Sequence, residues 1–429
     1  MRIIKNQILP FIFGIVIILI TNRGFFIAHL NFNSQNVYNM TFVLMFFISF
    51  YSFLFCLTKN VDRNLIFFKK IILINFFILA FLSVINVILG TFIISDIYFF
   101  LIFPLALYLV RLKSIYLETF IIIVLCITIL GAANFKYLSS NGYEVLLEYQ
   151  NNLRPTGNAL GHIKGKFQNG GFEGSHHDLS QKLVMLVIFT FIYSFYHKRF
   201  AKIFLLSLSF IGTYFLFDTA SASNITVFIL FFFIILKSIF KFNKKKNFIF
   251  ILFLIIIFLI LLKNENLFLF FVKYHDVFFN EVNFKIISFQ SFFDSIINLF
   301  IGFGNYFDAS LKYSEVAFIK IWLMFGLIPF LIISLILFSP IIFILRIKKL
   351  IKKSNNILYK KFESKIIDIK YSYRKLYLFS LPVIAGSVTL VHYGSLFKIT
   401  SIGVWCVLLS IFFKQYVDIN KKLIFLANS

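Results

Sequence analysis

Residues 248–262 read FIFILFLIIIFLILL, an apolar run broken by no polar side chain. As a helix the run is about 22 Å long, most of the way across a hydrocarbon core of ~30 Å. About a dozen runs of roughly 15–22 apolar residues recur along the chain, each long enough or nearly so to cross. Within lipid every backbone polar group must be satisfied internally, so only helices or a closed barrel can span. Barrel strands alternate apolar and polar positions, and these runs do not. The fold class is therefore all-α, a polytopic transmembrane helical bundle.

Composition agrees. Of 429 residues, 60% are hydrophobic and 14% charged, where a soluble domain carries about 25% charged residues. Mean hydropathy is +0.92. A net charge of +25 would suggest nucleic acid in a soluble protein; in a membrane protein the same excess marks cytoplasmic loops. Cys56, Cys126 and Cys406 all lie inside apolar runs, with neither metal-ligand nor disulfide spacing. The first run can serve as the insertion signal and lacks an evident cleavage site.

Spans are expected near residues 7–21, 39–57, 71–92, 97–110, 115–133, 183–196, 203–217, 224–240, one ending near 262, then 316–345, 376–392 and 400–413. With the N-terminus inside, about 30 of the 42 Lys and Arg residues fall in inside loops, the asymmetry that sets orientation. That arrangement gives about twelve spans with both termini cytoplasmic, a single integral membrane domain over 1–429. Two long loops, 134–181 and 263–315, fall outside, which the family resemblance given below makes the periplasmic side of a bacterial inner membrane. The basic loop 346–375 faces the cytoplasm and lies against anionic lipid, with no nucleic-acid partner.

Coupled transporters place ionisable groups deep in their spans. Here such groups gather in the two outer loops, which favours work at the membrane surface. In the first loop Arg154 precedes Pro155 and Gly157, and its fork suits bidentate contact with phosphate. The glycines that follow let backbone N–H groups approach an anion, and Lys164 and Lys166 add charge. His176 and His177 stand where Ser175 could cap the next helix and Asp178 suits its first turn. Either could act as a general base or sense substrate hydroxyls. Glu173 is a further candidate. With His162 the pair could also be read as a metal site, but adjacent histidines are poor joint ligands, and no metal or cofactor is expected.

In the second loop residues 284–296 read as an interfacial amphipathic helix, with Phe284, Ile287, Phe292 and Ile296 interleaved by Lys285, Gln290 and Asp294. Gly302 and Gly304 break it. Glu315 stands at the outer mouth of the following span, where an apolar boundary can make a carboxylate a base.

The two loops, RPTGNALGHIKGKFQNGGFEGSHHDLSQKL and FKIISFQSFFDSIINLFIGFGN with SEVAFIKIWLMFGLIPF, resemble those of the bacterial O-antigen polymerases and related O-antigen ligases. The resemblance implies a GT-C-like helical membrane glycosyltransferase that joins undecaprenyl-diphosphate-linked oligosaccharide repeat units by inverting transfer. A chain-length regulator and a flippase are its implied partners, besides the lipid bilayer. The family's two loops carry catalytic arginines. Arg154 matches the first; Lys285 stands where the second would be, a point charge in place of a fork. Phe300–Ile301 replace the family's proline before Gly302. Ligases place His and a polar residue ahead of the glycine of the following helix. Counting back from Gly326 finds Glu315 and Val316 instead, which favours polymerase and makes Glu315 the candidate base. The alternatives are the ligase, acting on lipid A core, and a lipid-linked oligosaccharide flippase.

Overall fold

The computed structural model describes residues 2–30, 32–59, 61–88, 101–153, 162–163, 166–240, 322, 325–358, 363–391 and 399–428. The decisive run at 248–262 and the second loop lie outside them.

The described chain is helical apart from one small ladder. In order the helices are α1 (Arg2–Thr21), α2 (Arg23–Leu30), α3 (Ser34–Thr58), α4 (Ile66–Ile88), α5 (Pro104–Leu109), α6 (Ser114–Ser140) and α7 (Tyr143–Leu153). The ladder pairs β1 (His162–Ile163) with β2 (Lys166–Phe167) in antiparallel register, His162 opposite Phe167. Then come α8 (His176–Ser194), α9 (Arg199–Asp218), α10 (Ala222–Phe240), α11 (Leu327–Leu337), α12 (Ser339–Leu358), α13 (Glu363–Val388) and α14 (Ile399–Asn428). Among the described residues five helices are long and apolar enough to cross a membrane, or up to seven if each of two bent pairs is one span. Phe47, Phe77, Phe81, Phe204 and Phe210 point out of the bundle, a surface suited to lipid rather than water.

Three places add detail to the expected spans. Of the span expected near 97–110, residues 101–110 are described, and they hold the six-residue helix α5, about 9 Å long. It is a buried stub. Carbonyls in it and beside it are taken by one face of α14: Cys406 Sγ lies 3.8 Å from the Ile102 oxygen, Ser410 Oγ donates to Ala106 at 2.8 Å, and Lys414 Nζ reaches Val110 at 3.5 Å and also Leu112. Spacing of four residues on both partners puts each donor opposite a carbonyl. The span near 316–345 is, where described, two helices, α11 and α12, that meet at 57°. The connection after the first span holds α2, bent 59° from α1 at Asn22.

The first loop is also more ordered in its parts than its composition suggests. Residues 134–140 continue α6, 143–153 form α7, and 176–181 are the first turns of α8.

At the centre stand α8, α13 and α14. From Asp178 to Ser194 every residue of α8 is buried, the signature of a helix enclosed on all sides. Gly386 lets α13 close on Met185 of α8 and Trp405 of α14, where any Cβ would collide with the methionine. The Trp405 indole N–H donates to Val383 at 3.2 Å.

The two ends of the bundle differ in charge. One end collects cations from many elements: Lys421 pairs with Asp62 at 3.4 Å, Lys422 with Asp368 at 3.0 Å, Arg374 donates to the Ser238 and Ile239 carbonyls, and Lys375 lies over the Tyr196 ring. The opposite end receives the close of α1, α6, α9 and α13 and the starts of α8 and α10. The first loop folds onto it.

Candidate functional site

The site is built around the first turns of α8. Lys182 is 1% exposed, and its ammonium has three acceptors for its three N–H bonds: Glu173 Oε1 at 2.7 Å, the Thr21 carbonyl at 2.7 Å and Asn22 Oδ1 at 3.2 Å. The Thr21 carbonyl is released by the bend between α1 and α2, and a cation at a helix C-terminus meets the negative end of its dipole. Glu173, 7% exposed, is thereby tied to the floor of the site by a buried ion pair. Glu173, expected from the sequence to contact substrate, anchors the loop to α1 through Lys182.

Phe172 anchors the same turn. It lies between Gly24 of α2 and Gly131 of α6, where a side chain on either glycine would strike it. Phe25 and His29 close edge-to-face at 5.6 and 5.5 Å. Asn169, 1% exposed, donates to the Ala132 carbonyl at 2.9 Å and to Asp218 Oδ2 at 2.8 Å, and accepts from the Gly171 N–H at 3.0 Å. The turn thus joins α6 to α9. Gly171 and Gly174 hold φ of 51° and 64°, the left-handed region open to glycine.

On the side toward α10 the two histidine rings lie 3.9 Å apart. His177 Nδ1 stands 3.4 Å from Ser221 Oγ. Asn224 Nδ2 donates to Ser180 Oγ at 2.6 Å and to Ser221 Oγ at 3.2 Å, and Ser180 Oγ donates to the His177 carbonyl at 2.9 Å. The direction of the His177–Ser221 hydrogen bond depends on the imidazole tautomer, and Ser221 Oγ can serve either one, since a hydroxyl both donates and accepts. Ser175 occupies the N-cap position of α8, as expected, but its hydroxyl makes no capping hydrogen bond.

Ala220, next to Ser221, has φ of 50°, a left-handed conformation that costs an L-residue about 1–3 kcal/mol. The strain is placed where the turn presents Ser221 to His177. Ala220→Gly is expected to stabilise the protein by up to about 1 kcal/mol, read as a higher melting temperature in detergent. A lower one would mean the Ala220 methyl packs usefully.

Of the residues singled out from sequence, Glu173, His176 and His177 gather at this end of α8. His162 and Lys166 sit on the two-residue ladder. Arg154, Lys164, Lys285, Gly302, Gly304 and Glu315 lie outside the described residues. Among the described residues no group of three His, Cys, Asp or Glu side chains is placed to hold a metal ion. Sequence reading passed over Lys182, Gln181, Asn169, Asp218, Ser221 and Asn224. A signal was present for two of them: SQK at 180–182 is a polar triplet at the head of an apolar helix, and polar groups buried in a bundle need partners.

No protein-family model, curated protein or solved structure matches the chain.

Proposed function

We propose that the protein is a membrane glycosyltransferase of the O-antigen polymerase type. It would join polyprenyl-diphosphate-linked repeat units at the outer end of its helical bundle. The observation that carries this reading is the polar cluster of Glu173, His176, His177, Lys182 and Ser221, assembled by the first loop at the end opposite the basic one. Under the positive-inside rule the basic end is cytoplasmic, which leaves the cluster outside, away from nucleotides and beside lipid-linked sugars.

In this reading Arg154 and Lys285 stabilise the diphosphate as it leaves the donor sugar. Glu315 or His176 takes the proton from the acceptor hydroxyl, and His177 contacts a substrate hydroxyl. Attack from the face opposite the leaving group inverts the anomeric centre. Lys182 and Glu173 hold the loop in place.

The test is complementation of a deletion strain, with surface glycan resolved on a gel. The wild-type gene should restore a ladder of polymer lengths. Glu315→Gln should reduce it to single repeat units while Glu315→Asp retains part; a full ladder from Glu315→Gln excludes it as the base. A wild-type gene that transfers preformed polymer to the lipid A core would support the ligase instead. One that only moves lipid-linked units across the membrane would support the flippase.

A further inference from the structure

We infer that Gln181 is a contact for a sugar hydroxyl, so that the inner end of the site recognises the glycan and not the diphosphate. The inference rests on the glycan-transfer reading above and divides its substrate between two chemistries.

Gln181 is 1% exposed. Its amide nitrogen donates to Thr389 Oγ1 and, at 3.5 Å, to the Gly386 carbonyl, tying α8 to the end of α13. Its carbonyl oxygen, equally buried, has no hydrogen-bond partner among the described residues. Turning the amide over does not cure this. One end must face Thr389 and Gly386, and the other is then a buried polar group without a partner. Such groups are uncommon in folded proteins and call for an explanation.

Among the described residues the polar neighbours are already engaged. Thr389 Oγ1 already donates to Gly386 at 2.6 Å, and the Ser180 hydroxyl and Asn224 amide are bonded to each other. Gln181 lies four residues beyond His177, hence on the same face of α8 and one turn deeper. A ligand that touches His177 would meet Gln181 next along this face of α8.

A sugar hydroxyl both donates and accepts, so it satisfies Gln181 with the amide in either orientation. In the orientation the structure shows, the amide nitrogen is turned to Thr389 and Gly386, so the carbonyl would repel a diphosphate oxygen, which only accepts. A site built to bond a hydroxyl also discriminates strongly against a sugar lacking it, because the protein's own polar group is then left buried and unpaired.

The experiment compares Gln181→Met, which keeps the length of the side chain, with Thr389→Val, which breaks the same α8–α13 hydrogen bond and leaves the Gln181 carbonyl in place. Both are expressed in the deletion strain, and folded protein is quantified by gel filtration. Gln181→Met is expected to lose the ladder and Thr389→Val to keep it. A ladder from Gln181→Met overturns the inference; so does equal loss in both variants, which would make Gln181 a structural tie only. If wild type restores no ladder, the polymerase reading falls. The hydroxyl site is then judged by protection of purified protein against heat by glucose, galactose or N-acetylglucosamine. At least one sugar should protect wild type and not Gln181→Met. No protection of wild type, or equal protection of both, overturns it.

Discussion

Lys182→Met is expected to destabilise the protein by about 3–5 kcal/mol, the cost of stripping one partner from a buried ion pair. The estimate needs little discount for solvent, because Lys182 and Glu173 are 1% and 7% exposed. The substitution leaves the Glu173 carboxylate buried without its ammonium, and the Thr21 carbonyl loses its donor at the bend between α1 and α2. Adding Glu173→Leu removes the stranded charge, and a buried pair replaced by apolar residues is often close to neutral. The double variant should therefore be more stable than Lys182→Met alone. Thermal unfolding in detergent measures both. A single variant that melts with wild type, or a double variant worse than the single, would show that the pair does not hold the loop.

Arg154→Ala is expected to reduce surface glycan from a ladder to single repeat units, with the amount of membrane-inserted protein unchanged. Loss of a preorganised donor at a developing anion costs about 10²–10³ in rate, enough to remove visible polymer. Arg154→Lys should recover only part, since an ammonium offers a point charge and cannot grip two phosphate oxygens in one plane. A normal ladder from Arg154→Ala removes that residue from the site. The two experiments separate cleanly: one reads folding with no substrate present, the other reads turnover at constant protein level.

The sequence readily yields the helical class, the abundance of basic residues at one end and the general neighbourhood of the site. Each follows from one-dimensional information: uninterrupted apolar runs such as 248–262, the positions of Lys and Arg between them, and the polar stretch around His176 and His177. It is less good at helix boundaries. Residues 134–140 and 176–181 look like loop because they are polar, yet the first continue α6 and the second begin the buried α8, since backbone hydrogen bonding and neighbours decide where a helix stops. Nor does apolar composition foretell contacts such as those α5 makes with α14, where Ser410 donates to the Ala106 carbonyl.

By itself, then, the sequence determined that this chain is a bundle of apolar helices with a polar, glycine-rich loop of distinctive chemistry, because hydrophobic run length and charge placement are properties of local stretches. Only the tertiary structure decided what that loop touches. Lys182 meets Thr21 and Asn22 across 160 residues or more of sequence, His177 meets Ser221, and Gln181 meets Thr389. Such pairings depend on how α1, α8, α10 and α13 pack, and helix packing is set by complementary shape over whole faces, which no stretch read in isolation contains.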